Sequence, residues 1–480
     1  MPDQMSGGVP AGGAPGEHGQ KPSDPRRWKA LGVCLIAGFV TWLDISIVNV
    51  ALPAIRIALH ASPSDLQWVV SGYAFAFGLV LIPAGRFGDA HGRHNVFVFG
   101  SVLFTLASAV AGAASGPGWL IVARVVQGAA AGVMAPQITG LIEQLFWGAE
   151  RGRAFGLLGA VISFSTAIGP LLGGLLIQFT GQEAGWRHVL HVSIPISIIT
   201  VILAYRYVPR QQVRKRKRES IDPVGVLILA AGILLLLLPL VEGHEWQAQS
   251  KWLLLLASAV VLAGFVRWER WYGQRSSPMV DMSLFRRGSY VLGVLLAALY
   301  FGGFTAIFYL VTQYLQEGLH YSALRAGLLS ATFALGSAFS AALSGRLVVR
   351  FGRPLLAFGL VLVTVGLGAT EPAMRLATGQ SGAWMIAAAL FLAGLGNGLI
   401  VSPNQTFTLS AVPFAEAGVA GGVLQTGQRI GASVGLAAVG SAHGIHAKAF
   451  QHALLINMMF VLAALVVAVV DVFVERRANR

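Results

Sequence analysis

Fourteen apolar stretches of about 20 residues follow one another from residue 31 to residue 474, separated by short polar gaps. At 1.5 Å rise per residue, a helix of that length crosses the ~30 Å hydrocarbon core of a bilayer. In lipid only a helix or a closed barrel satisfies its own backbone, and stretches this long and this apolar read as helices. The pattern predicts helices over 31–55, 66–86, 95–114, 119–141, 153–178, 188–208, 222–241, 252–271, 289–312, 325–347, 354–372, 384–404, 417–441 and 451–474. Residues 1–28 are polar and rich in Gly and Pro, which reads as a disordered tail without the short cleavable apolar region of a signal peptide.

Charge then orients the array. Only 11% of the 480 residues are charged and 55% are hydrophobic, against about 25% charged in soluble domains. The formal net charge is +14, yet the basic residues form no nucleic-acid-binding face. Of the 34 Lys and Arg, 26 fall in the gaps on the side of the N-terminus, six in the other gaps, and Arg124 and Arg429 within apolar stretches. By the positive-inside rule both termini are expected in the cytoplasm, in an inner or plasma membrane. The run Arg214 to Arg218 reads as a cytoplasmic anchor. Cys34 is the single cysteine, which excludes a disulfide framework. There is no Gly-Lys dipeptide for a phosphate loop, no G-x-S-x-G elbow and no H-E-x-x-H helix. The pairs His91/His94, His188/His191 and His443/His446 have helical spacing but no acid or cysteine partners. No enzyme, metal or other cofactor is expected.

One repeat is visible. Gly85 to Arg93 reads GRFGDAHGR, and Gly345 to Arg353 reads GRLVVRFGR, with Gly, Arg, Gly and Arg at the same offsets. If each marks the second-to-third helix loop of a six-helix unit, the chain divides into a tail (1–28), a first bundle (29–212), an inserted helix pair with its loops (213–285), a second bundle (286–475) and a short tail (476–480). Two related halves around a midplane site are a common plan of secondary transporters.

The same residues carry a family resemblance. LDISIVNVALP (Leu43 to Pro53), GRFGDAHGR, ARVVQGAAAG (Ala123 to Gly132) and GAVISFSTAIGPLLGG (Gly159 to Gly174) resemble, in order, signatures of the major facilitator superfamily. Within it the match is to the fourteen-helix drug:proton antiporters, and it covers residues 30–475. The resemblance implies an all-α integral membrane fold of two six-helix bundles plus two inserted helices. The chain departs from the family pattern at Ser165, Ala90, Val349 and the run after Arg187.

Several residues have chemistry of their own. Asp44 falls near the centre of the first helix, where a carboxylate is costly. It is either a proton carrier or a permanently paired structural acid. Arg124 lies early in the fourth helix, either snorkelling to the interface or biasing a nearby acid. The resemblance ties it to proton coupling. Gly169, Pro170, Gly173 and Gly174 make a kinked, small-faced fifth helix suited to sealing the two halves against each other. Gly85, Asp89, Gly92 and Arg93 suit a cytoplasmic latch, with Asp89 holding an arginine or capping a second-half helix, the thirteenth above all. Trp42, Asn49, Tyr73, Phe77, Gln137, Phe304, Phe308, Asn397 and Arg429 are candidate linings of a substrate cavity.

These readings combine into a proton-driven antiporter that exports amphipathic drugs across the cytoplasmic membrane. The alternative is a dedicated exporter of one natural product or lipid-like metabolite. Its expected partners are a small-molecule substrate, protons and the lipid bilayer, without nucleic acid, and a periplasmic adaptor where the host has an outer membrane. The proton gradient is the expected energy source.

Overall fold

The computed structural model describes residues 26–210, 222–241, 249–276, 278–313, 315, 319, 321, 323–375, 379–413, 416–440 and 447–478. Arg214 to Arg218, His443, His446 and most of the N-terminal tail lie outside them. Among the described residues there are helices and no strands. They are α1 (Arg27–Leu59), α2 (Pro63–His91), α3 (Arg93–Gly112), α4 (Pro117–Leu145), α5 (Gly148–Thr180), α6 (Gln182–His191), α7 (Ser193–Tyr207) and α8 (Pro223–Val241). They continue as α9 (Leu253–Tyr272), α10 (Gly288–Gln313), α11 (Ala323–Phe351), α12 (Pro354–Arg375), α13 (Gly379–Ser410), α14 (Ala417–Gly440) and α15 (Ala447–Ala478).

Every apolar stretch read from the sequence falls on one of these helices, with one break. The stretch 188–208 spans α6 and α7, which meet at Val192. Pro195 has no N–H to offer the carbonyl of His191, so the helical ladder is interrupted there. Among the described residues, eleven segments are long and apolar enough to cross a membrane, α6 and α7 forming one of them. The other three helices are α9, α12 and α14. Arg267, Glu269 and Arg270 make α9 more polar, Gln425, Gln428 and Arg429 do the same for α14, and the apolar part of α12 is short, Pro354–Thr370.

Burial sorts the helices into two groups. One core cluster is drawn mainly from α1 to α5 and α7, including Leu31, Phe97, Phe104, Met134 and Phe155. A second is drawn from α10 to α15, including Tyr300, Phe333, Leu360, Ile400 and Val461. They are joined chiefly by α2 against α14 and α5 against α11, with α5 also meeting α13 and α4 meeting α14. The remaining pair, α8 and α9, lies beside the α2–α14 seam, where Leu229, Ile233, Leu237 and Phe265 pack with Phe75, Ile82 and Val419. It is pinned internally by Trp268 Nε1 donating to Asp222 at 2.6 Å and Ser258 donating to the Gly232 carbonyl at 2.7 Å.

Candidate functional site

Midway along α1, Asp44 is 1% exposed, and Arg124, two turns into α4, is 2% exposed. They meet: Arg124 Nη1 donates to Asp44 Oδ2 at 2.5 Å. Arg124 also donates from Nε to the Val69 carbonyl at 3.2 Å and from Nη1 to Gln127 Oε1 at 2.7 Å. Gln127 Nε2 donates to Asp44 Oδ1 at 2.9 Å and to Ser108 Oγ at 2.8 Å. Both carboxylate oxygens therefore have partners. This is how a charge survives in the bundle interior, and removing one partner of such a pair costs several kcal/mol. Arg124 is buried within the bundle rather than snorkelling to an interface. Gln127 and Ser108 were not singled out from the sequence. The available signal was the i, i+3 spacing of Arg124 and Gln127, which places them on one helix face.

A ladder of rings and cations runs from this pair toward the second half. Arg124 lies 4.4 Å over the Tyr73 ring, Tyr73 stacks on Phe77 at 6.3 Å, and Arg429 of α14 lies 4.4 Å over Phe77 and 5.0 Å over Trp42. Two cavities of about 50 Å³ each flank Arg429. One is lined by Ile45, Val48, Tyr73 and Arg124, the other by Trp42, Phe77, Gln405, Gln425 and Gln428. Four candidate lining residues, Trp42, Tyr73, Phe77 and Arg429, thus come together.

The others lie elsewhere. Gln137 donates to the Ala84 carbonyl at 2.8 Å and staples α4 to α2, away from both cavities, because its helix face turns toward Gly88. Asn49 is exposed and donates to its own helix at Ile45. Asn397 accepts from Tyr300 at 2.6 Å and donates to Ser337 at 2.6 Å. Ser337 in turn lies 2.7 Å from Ser163 of α5, which carries this network across the seam. Phe304 packs with Tyr300, Phe301 and Phe333 inside the second half. Phe308 lies outside the residues whose side chains are described.

At the end of the bundle that carries the chain termini, Asp89 makes two sets of contacts. Arg93 donates to Asp89 Oδ1 at 2.7 and 3.0 Å. The N–H groups of Gly418 and Val419, in the first turn of α14, donate to Asp89 at 3.2 and 3.0 Å. A carboxylate there faces the positive end of the helix dipole and satisfies orphan donors of the first turn. Gly85 lies so close to the Gly418 carbonyl that a Cβ on it would collide. Gly92 has φ +97°, the left-handed region open to glycine, and turns the chain from α2 into α3. In the link before α14, burial raises the Glu416 carboxyl from its ordinary range; Asp281 and Asp89 add to the shift, and Arg287 and Arg86 oppose it.

The small face of α5 divides in two. Gly152, Gly156 and Ser163 face α11, while Gly169 abuts Ser46 and Gly173 abuts Ile47, both on α1. Nothing lies within 4 Å of a Cβ built on Gly174. The helix runs on through Pro170. Gly169 and Gly173 therefore pack within the first half, and the earlier turns of the same helix face the second half. Of the residues whose pattern suggests a seal, Gly169 and Gly173 face α1 in this arrangement. The reason is register: Gly169 and Gly173 share one stripe, rotated away from the stripe of Gly152 and Gly156.

The profile of the Major Facilitator Superfamily matches residues 34–436 and 292–479 of the chain. The chain is 36% identical over 434 residues to the probable actinorhodin transporter of Streptomyces coelicolor, covering 89% of this chain and 75% of that protein. It is 33% identical over 417 residues to the puromycin resistance protein of Streptomyces alboniger, covering 86% and 81%. Multidrug resistance protein Stp of Mycobacterium tuberculosis is 32% identical over 408 residues, covering 84% and 73%. Among solved structures, the proton:xylose symporter XylE superposes with a TM-score of 0.67 at 16% identity, over 92% of this chain and 95% of that one, a likeness of fold.

Proposed function

The chain belongs to the Major Facilitator Superfamily, and from that membership we propose that it is a proton-coupled antiporter exporting amphipathic, largely apolar small molecules from the cytoplasm. It is a multi-pass membrane transporter and not an enzyme. The observation that carries the finer reading is the Asp44–Arg124–Gln127 triad, a buried carboxylate whose charge is held by one cation and one amide.

A proton reaching Asp44 cancels its charge and releases Arg124 from its ion pair. Tyr73, against Arg124, and Phe77, against Arg429, transmit that change to the cavities between the halves. The Asp89 cap on α14 holds the two halves together at the terminal end, and its rupture accompanies opening on that side. With the termini in the cytoplasm, as the basic loops favour, the present contacts close the cytoplasmic side. A proton moving inward supplies about 2.3 kcal/mol per charge per 100 mV.

Asp44→Asn is the direct test. The amide oxygen still accepts from Arg124 while the amide NH2 faces the Gln127 donor, so folding of the variant is checked by its thermal unfolding; the side chain carries no proton. Substrate-induced pH change in inverted vesicles is expected to fall at least about tenfold. Unchanged proton movement in this variant would refute the assignment.

The names of the relatives favour a narrower second reading, a dedicated exporter of one natural product. Growth of a pump-deficient host expressing the chain, challenged with a panel of cationic, neutral and anionic toxic compounds, separates the two. Protection against one compound only favours the narrow reading.

A further inference from the structure

The charge balance around the two central cavities bears on what the protein carries. Asp44 is consumed by Arg124 and Gln127, and no carboxylate lines either cavity among the described residues. Arg429 lines both. Its guanidinium carbon lies 5.0 Å from the centre of the Trp42 ring and 4.4 Å from that of Phe77, so aromatic rings crowd it. Those rings screen the cation but supply no acceptor. The N–H donors of a guanidinium radiate in its plane, in a fork that matches an oxyanion with two oxygens. A cation kept in the membrane interior without an acid partner is expensive, and this one opens onto space.

We propose that Arg429 is the docking point for an oxyanion on an aromatic substrate, so that the exported compounds are amphipathic aromatic carboxylates rather than lipophilic cations. This rests on the transport reading above and names its substrate class. Trp42 and Phe77 offer the substrate ring the same flat apolar surfaces that hold the guanidinium, and Gln405, Gln425 and Gln428 line the neighbouring space. A cavity of about 50 Å³ has room for water but not for such a molecule. Arg429 comes from α14, while Trp42 and Phe77 come from α1 and α2. The substrate therefore enters as the two halves part, and the aromatic ladder that Arg429 bridges here is the contact that yields.

The test uses the full chain in liposomes and three fluorescent probes of one shape: pyrenebutyrate, pyrenebutanol and pyrenebutyl-trimethylammonium. Binding and proton-driven uptake are measured for the intact protein, Arg429→Gln and Arg429→Lys. The carboxylate is expected to bind about tenfold tighter than the alcohol, the size of a desolvated charge-assisted hydrogen bond. Arg429→Gln brings that ratio to about one, and Arg429→Lys, a point charge without the fork, restores part of it. The carboxylate-to-alcohol ratio is read within each variant, so a loss common to both probes cancels. Equal binding of carboxylate and alcohol by the intact protein, preference for the ammonium probe, or a ratio unmoved by Arg429→Gln overturns the proposal. Proton-driven uptake without carboxylate preference sinks this inference and leaves antiport standing. Carboxylate preference without proton-driven uptake does the reverse.

Discussion

The two seams between the halves share their packing and differ in their charge. At one, Gly85 of α2 abuts the backbone of Gly418 in the first turn of α14. At the other, Gly345 of α11 abuts the backbone of Gly152 and Arg153 near the start of α5. Both loops then turn on a glycine in the left-handed region, Gly92 and Gly352. The carboxylate is present on one side only. Asp89 caps α14 and is gripped by Arg93, whereas Val349 at the matching offset is 62% exposed, and Arg353 turns back to Asp471 and Glu475 of its own half. The inserted pair α8 and α9 also flanks only the α2–α14 seam. Close approach through glycine is thus common to both seams, and a carboxylate cap across the seam belongs to one among the described residues. The repeat preserves what backbone packing requires and lets the electrostatics diverge.

The sharpest way to break this asymmetry is Asp89→Ala. It strips the cap from α14, at a cost of about 1 kcal/mol to the closed seam, and leaves Arg93 of the same half without its carboxylate, at about 3–5 kcal/mol to the fold. Single-molecule distances across the terminal end are expected to show a population shift toward the open form, and transport should fall. A distribution like that of the intact protein would remove the cap from the account. Next in size, Gly85→Val and Gly345→Val each overpack a backbone contact, at about 1–3 kcal/mol. Similar losses of thermal stability in the two variants are expected. A marked inequality would show that the seams are not equivalent in packing.

Val349→Asp tests the converse by supplying the missing acid near the start of α5, where no side-chain cap is present. Its gain is at most about 1 kcal/mol toward the closed form, read as slower opening. Faster opening would contradict it. Smallest is Glu150→Gln, in the first turn of α5, whose pairing with Arg27 at 2.8 Å is partly exposed. A change below about 1 kcal/mol in thermal stability is expected, weaker still at high salt.

The helices were legible because lipid imposes a length and a composition on each span, and the family because Leu43 to Pro53 and Gly159 to Gly174 are local strings. Asp44, Arg124 and Asp89 stood out one by one, since charge in an apolar stretch is conspicuous. Gln127 and Ser108 did not, because a buried amide and a serine acquire their role only from the neighbours they touch. The same holds for Arg429, whose meaning depends on the Trp42 and Phe77 rings beside it and on no acid reaching it among the described residues.

What the sequence determined by itself is what bilayer solvation reads along one dimension: which segments span, where the basic loops lie, and which residues are too polar to be there by default. Only the tertiary structure decided which stripe of α5 faces α1 and which faces α11, that Gln137 staples rather than lines, and that Asp44 and Arg124 form one pair. The physical reason is that hydropathy acts on each helix separately, whereas pairing of charges and contact of small faces depend on the rotation and register of helices far apart in the chain.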